Sequence, residues 1–333
     1  MRPRNLTLSR LAILGASLTW LFFGRFHAIA KDMTPLVAEP PMEVPNSSGG
    51  FDYMLFDARG NRVYASHPGA GRLTMLSVKD NHITEYDTDG RVNGIAIDYR
   101  ANRFYAAGGN QKVVIFDYQT MNKIGEIPLP GPADDIEFDP DNRTLYVTHD
   151  DGTELWTVDV DQQKVTGNIA IAGAPEYIEY DAKTHRLYQN IKTANEVQVI
   201  DPSTNTVVAT WSTAPVESPH GQALDAKRGW LFVAGDGKAA AIDLKTGKII
   251  ASVTFGSNYV DQIAFDAGLK RLYCACGNGD LAVLQETSTG LKLLGNVADH
   301  RGSHTLAVDP RTHTVWVCYG DSTHSYLQAF HAE

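Results

Sequence analysis

His220, Asp261 and His304 stand 41 and 43 residues apart, and similar steps backwards meet Glu176, Asp134, Asn93 and Asp52. None of these seven residues is apolar, and none is Lys or Arg. Imidazole beside carboxylate suits two chemistries. One is a divalent ion such as Zn²⁺, Mn²⁺ or Ca²⁺, held by nitrogen and oxygen donors. The other is proton transfer without a metal, with histidine as base and a carboxylate to orient it. His220, Asp261, His304 and Glu176 are therefore the candidate ligands of one divalent ion, and His220 and His304 the candidate catalytic groups. Asp52, Asn93, Asp134, Glu176 and Asp261 are candidate ligand-binding groups. Four carboxylates brought together repel one another, so a pKa should rise or a cation should bind. A polar ring that merely solvates ordered water would need no ligand.

The spacing belongs to a repeat that covers most of the chain. Five residues after each ring position stands an aspartate that closes a short apolar run: Asp57, Asp98, Asp139, Asp181, Asp225, Asp266 and Asp309. Seven residues after each aspartate stands an aromatic residue: Tyr64, Tyr105, Tyr146, Tyr188, Phe232, Tyr273 and Trp316. Two positions past the ring the register turns apolar in all but one repeat, at Met54, Ile95, Ile136, Ile178, Gln222, Ile263 and Leu306. The polarity therefore marks one end of an element and not its whole length. The recurring aromatics and aspartates serve the repeat, the first as core and the second as turn formers.

Each unit reads as four short strands rich in Val, Ile, Tyr and Thr, bounded by Gly, Asn, Asp and Pro. In the fourth unit these are 177–181, 186–190, 196–201 and 206–213. Four strands in a period of just over forty residues predict propeller blades. The expected fold is all-β, a seven-bladed β-propeller of four-stranded antiparallel blades. The last unit has only three strands, at 304–309, 314–318 and 326–331. Residues 36–44, ahead of the first unit, are expected to supply its outer strand and close the ring. Pro40 and Pro41 are tolerable there, because an outer strand is an edge.

The runs Tyr146-Val147-Thr148-His149 and Glu196 to Thr210 resemble the YVTN-type propeller repeat, a WD40-like architecture. That resemblance implies an exported protein. Members of the group include DNA binders and companions of redox enzymes, and more distant seven-bladed relatives include metal-dependent lyases and lactonases. In a propeller the first strand of each blade lines the channel, and one face carries the loops of the site. His149, His67 and Arg301 fall in loops on that face and join the ligand-binding candidates. Asp150, Asp151 and His300 lie beside them, and Tyr177, Tyr259 and Tyr319 are expected to cover the channel. His185 and His313 fall in turns on the opposite face.

The remaining signals bound the function. Arg2, Arg4 and Arg10 precede an apolar run from Leu11 to Phe23, followed by Ala28-Ile29-Ala30. This reads as a Sec-type signal peptide over residues 1–30, leaving one domain over 31–333 in the periplasm or medium, with no membrane span after cleavage. Apolar residues are 43% and charged residues 20%, a globular composition. The net charge is −10, and loss of the four arginines in 1–30 takes it to −14. That acidity argues against nucleic acid as partner, so DNA binding ranks last. Cys274, Cys276 and Cys318 read as buried thiols without disulfides. Two function classes remain for a chain expected to be a monomer. One is a binding or scaffold propeller for a small molecule, glycan or protein partner at the channel face. The other is a lyase or lactonase that uses one divalent metal ion at the channel mouth.

Overall fold

The computed structural model describes Met1 and residues 34–333, and the signal peptide expected over 1–30 lies outside the described residues. Residues 34–333 form seven antiparallel sheets and, among the described residues, no α-helix. The innermost strands are Met54–Asp57, Gly94–Asp98, Ala133–Asp139, Pro175–Asp181, Gly221–Asp225, Val260–Asp266 and Thr305–Asp309. Six of the sheets then run outward in chain order, and the seventh does so for its first three strands. In blade four the strands are Pro175–Asp181, Arg186–Ile191, Glu196–Asp201 and Thr206–Ser212, within two residues of the expected bounds.

Burial grades outward along each blade. The second and third strands are almost wholly buried, as in Arg186–Ile191 and Glu196–Asp201, because neighbouring sheets cover both faces. The outer strands Thr206–Ser212 and Leu291–Ala298 alternate between half-buried and more exposed positions, because only one of their faces meets protein. The recurrent aromatics Tyr64, Tyr105, Tyr146, Tyr188, Phe232, Tyr273 and Trp316 are all buried. Among the described residues the hydroxyls of Tyr105 and Tyr273 have no partner, so packing and not hydrogen bonding keeps those two rings in place. Every anchor aspartate is buried and accepts a backbone N–H from the turn that follows it, as Asp98 does from Arg100 and Ala101.

Ring closure takes the expected form with one difference. Leu36–Ala38 pairs with the third strand of blade seven, Leu36 opposite Ala332, and Met42–Glu43 pairs with the same strand, Met42 opposite Leu327. Pro40 and Pro41 split this outer strand into two pieces because neither has an N–H to donate. The three cysteines are buried and free, and burial raises all three thiol pKa values, that of Cys276 to about 12. They pack as small apolar residues in the clusters between the blades.

Candidate functional site at the channel mouth

An innermost strand is also an edge, with N–H and C=O groups that no ladder partner satisfies. Polar side chains from neighbouring blades fill that need. Asp135 accepts the N–H of Ile178 at 3.3 Å, and Glu137 accepts that of Tyr180 at 3.2 Å. Gln262 accepts from the N–H groups of Met54 at 2.9 Å and Leu306 at 3.1 Å, and from the hydroxyl of Thr305. Strands this close leave no room for a side chain at some positions. A Cβ on Gly94 would lie 2.6 Å from the Ile136 nitrogen, and one on Gly221 would collide with the Asp261 carbonyl oxygen.

The ring residues sit where these strands begin. In blades three, four and six the ladder shifts register between Ala133 and Ile136, Pro175 and Ile178, and Val260 and Ile263. A shift of this kind re-aims consecutive side chains. It brings Asp134 with Asp135, and Glu176 with Tyr177, into the lining of one cavity of about 210 Å³. Asp52, Asn93, His220 and Asp261 line it too, with Arg91, Asp150 and Lys192 from the loops.

Within the mouth the ring divides into three pieces. Arg91 Nε donates to Asn93 Oδ1 at 3.2 Å, and Asn93 Nδ2 donates to Asp134 at 3.3 Å. Lys192 pairs with Glu176 at 2.6 Å and with Asp151 at 3.3 Å, and Nε2 of His220 lies 3.6 Å from Glu176. Nδ1 of His220 donates to the Ser218 carbonyl at 2.8 Å, which fixes the ring. Nδ1 of His304 meets Asp261 at 2.7 Å. Ligand atoms of Asp52, Asp261 and His304 all lie within 4.8 Å of one another. The four expected metal ligands thus fall into two groups, Glu176 with His220 and Asp261 with His304, and Asp52 joins the second.

The electrostatics follow from burial. It raises the Asp52 carboxyl to about 6, with the charge of Asp261 adding to the effect. Burial and then Glu176 push Asp134 well above the carboxylate range. Glu176 is raised by burial too, partly offset by His220 and Lys192. Burial disfavours the His304 imidazolium, but the hydrogen bond and charge of Asp261, backed by Asp52, outweigh it and raise its pKa.

The floor of the mouth is a pair of rings. Tyr53 and Tyr177 stack with centroids 5.3 Å apart and planes at 17°. Both line the mouth above and a second chamber below. Tyr177 thus covers the channel as expected. Beside the mouth a cleft of about 700 Å³ runs between His220, Asp261, His304, Arg301 and Tyr259. Tyr259 is 76% exposed and its backbone takes φ 58°, a strained setting for a bulky residue.

The other loop candidates lie apart from these cavities. His67 is 0% exposed, stacks on Phe51 at 4.0 Å, and meets Glu85 at 3.0 Å and the Gly49 carbonyl at 3.2 Å. Its Nε2 also meets Ser325 at 3.2 Å, so it ties blade one to the closing blade and is closed to a ligand. His149 packs on Trp156 at 4.7 Å and faces Glu154 at 3.5 Å. Tyr319 is buried under His300 in a stack at 3.8 Å, away from the channel lining. The sequence reading passed over Tyr53, Asp135, Glu137, Glu179 and Gln262, which stand in the two registers four and two residues before each anchor.

Solved structures share this architecture. A chain of a mitotic checkpoint complex superposes with a TM-score of 0.74 at 13% identity, over 98% of this chain and 99% of that one. A chain of the hydrazine synthase of Kuenenia stuttgartiensis superposes with a TM-score of 0.73 at 16% identity, over 85% of this chain and 96% of that one. No protein-family model matches the chain, and no curated protein is similar to it in sequence. At such identities the likeness is one of fold. The site must speak for the function.

Proposed function

We propose that the protein is an exported binding propeller whose channel mouth and adjoining cleft take the end of a glycan. The exposed, strained ring of Tyr259 beside a cluster of fixed hydrogen-bonding groups carries this reading. A large aromatic held open to water at a backbone cost is a feature to be explained by what covers it. A sugar ring has an apolar face to lay on tyrosine and hydroxyls around its edge. Asp52, Asp134, Glu176 and Asp261 accept from hydroxyls, and Asn93, Arg91, Lys192 and Arg301 donate to oxygens. The resemblance to YVTN-type repeats and the arginine-led apolar run support export. Among the described residues no helix is long and apolar enough to cross a membrane.

A glycan array probed with the wild type and with Tyr259→Ala tests the reading. The expected result is selective retention of one class of glycan terminus, weakened about tenfold or more in the variant. Retention of no glycan, or equal retention by both proteins, overturns it.

A second reading rests on the convergence of Asp52, Asp261 and His304. Two carboxylates and an imidazole suit Zn²⁺ or Mn²⁺, with the cavity leaving positions open. A divalent ion there would polarise a carbonyl or carboxylate of a lyase or lactonase substrate. His220, fixed by Ser218 and facing Glu176, would take the proton. Metal analysis of protein purified without chelator, beside Asp52→Asn/His304→Ala, decides it. About one equivalent lost in the variant supports the metal, and none in either removes it.

A further inference from the structure

Below the Tyr53–Tyr177 stack the channel widens into a chamber of about 270 Å³ with a different lining. Two residues before each anchor aspartate the sequence reads Leu55, Ala96, Glu137, Glu179, Ala223, Ala264 and Ala307. Three of the alanines, Ala223, Ala264 and Ala307, withdraw side-chain volume from the channel, and the glutamates of adjacent blades three and four line the space that remains.

The acidic groups here lack what those of the mouth possess. Among the described residues, no Lys, Arg or His lines the chamber. Glu137 spends one oxygen on the Tyr180 N–H. Gln222, on the next blade round, lines the same chamber and is only 2% exposed. Its amide nitrogen donates to Asn190 at 2.8 Å, and its oxygen has no partner. A buried acceptor left unmatched costs free energy, and beside two carboxyls it calls for a donor. Three acceptors on consecutive blades match the three N–H groups of an ammonium head. The alanines, with Phe56 and Phe265, offer apolar surface to a short chain.

We propose that this lower chamber is a second binding site, independent of the glycan reading, for a small primary alkylammonium ion. Glu137, Glu179 and Gln222 receive its head, and Ala223, Ala264 and Ala307 face its chain. Burial raises Glu179 to about 7 with Asp181 adding to it, and raises Glu137 too, with Glu179, Asp135 and Asp139 adding to the effect. The free site is therefore at least partly protonated at neutral pH. The ammonium enters with its own protons, and the proton displaced from the glutamic acid passes to solvent.

Calorimetric titration with n-propylammonium chloride at neutral pH, in buffers of different ionisation enthalpy, tests this directly. The expected result is saturable binding with net proton release, and no binding of propanol or propionate. Glu137→Gln/Glu179→Gln should weaken binding about tenfold or more. Ala264→Leu, which keeps both acids but fills the space, should abolish it while the protein still melts cooperatively. Absence of saturable binding overturns the proposal. So does binding that survives Ala264→Leu, or that the double glutamine variant retains at wild-type strength, since the cation then sits elsewhere.

Discussion

The two chambers of the channel share the same seven strands and differ in how their charges are matched. Above the tyrosine stack, Glu176 is held by Lys192, Asp134 by Asn93 with Arg91 behind it, and Asp261 by His304. Below it, Glu137 and Glu179 face alanines with no cation in the lining. Lys192 and His304 stand against two of the upper carboxyls and Asn93 hydrogen-bonds a third, so the mouth can offer many directed hydrogen bonds to a neutral polar ligand. Burial raises both lower carboxyls, Glu179 to about 7, with no cation in the lining to oppose it. One repeated strand thus yields two environments through two registers, five and two residues before the anchor.

The comparison depends on the inner strands holding their spacing, and the largest effect should come from breaking that. Gly221→Ala drives a Cβ into the Asp261 carbonyl and should cost about 2–4 kcal/mol in urea unfolding. Gly50→Ala, with nothing within 4 Å of its Cβ, should stay within about 0.5 kcal/mol and serves as its control.

How legible this arrangement was in the sequence varies by level. The fold was written in every repeat, because a buried aspartate that caps a turn and an aromatic that packs between sheets are needed once per blade. The mouth was legible as a set of residues but not as a set of pairs. Consecutive blades place His220 next to both Glu176 and Asp261, and only loop residues such as Lys192 and Ser218 decide how the ring divides. The lower chamber was missed although its register is plain. Four alanines around two glutamates look like weak core until the channel is known to run between them. His67 misled because its register sits at the ring-closing seam, where Ser325 and Gly49 enclose it.

Acidity separates the chambers next. Both Asp52 and Glu179 have folded-state pKa values above their ordinary ones. The stability each lends is full below the unfolded value and is lost as pH rises through the folded value. For Glu179 that window runs from its ordinary 4.5 to about 7, and for Asp52 from 3.8 to about 6. Glu179→Gln should therefore flatten the decline of melting temperature up to neutrality, and Asp52→Asn only the part below about 6. Thermal melts of both variants from acid to alkaline pH check this, and equal effects would erase the distinction.

A smaller change sharpens the upper chamber alone. Asp261→Asn removes the hydrogen bond and charge that raise His304, so its pKa should fall in ring NMR. The associated stability increment, present in acid and lost as pH rises through the His304 pKa, should shrink with it. The smallest effect is expected at the partition itself. Tyr177→Phe removes a buried hydroxyl that has no partner and should change stability by less than about 0.5 kcal/mol.

Histidine-ring NMR during titration with mono- and disaccharides tests the central claim most directly, because the histidines report on opposite ends of the channel. His220 and His304 stand at the mouth, whereas His185 and His313 hold Asp141 and Asp266 on the other face. Saturable shifts of His220 and His304 with a shared midpoint are expected while His185 and His313 stay still. Shifts confined to His185 and His313, or none with any sugar, would contradict it.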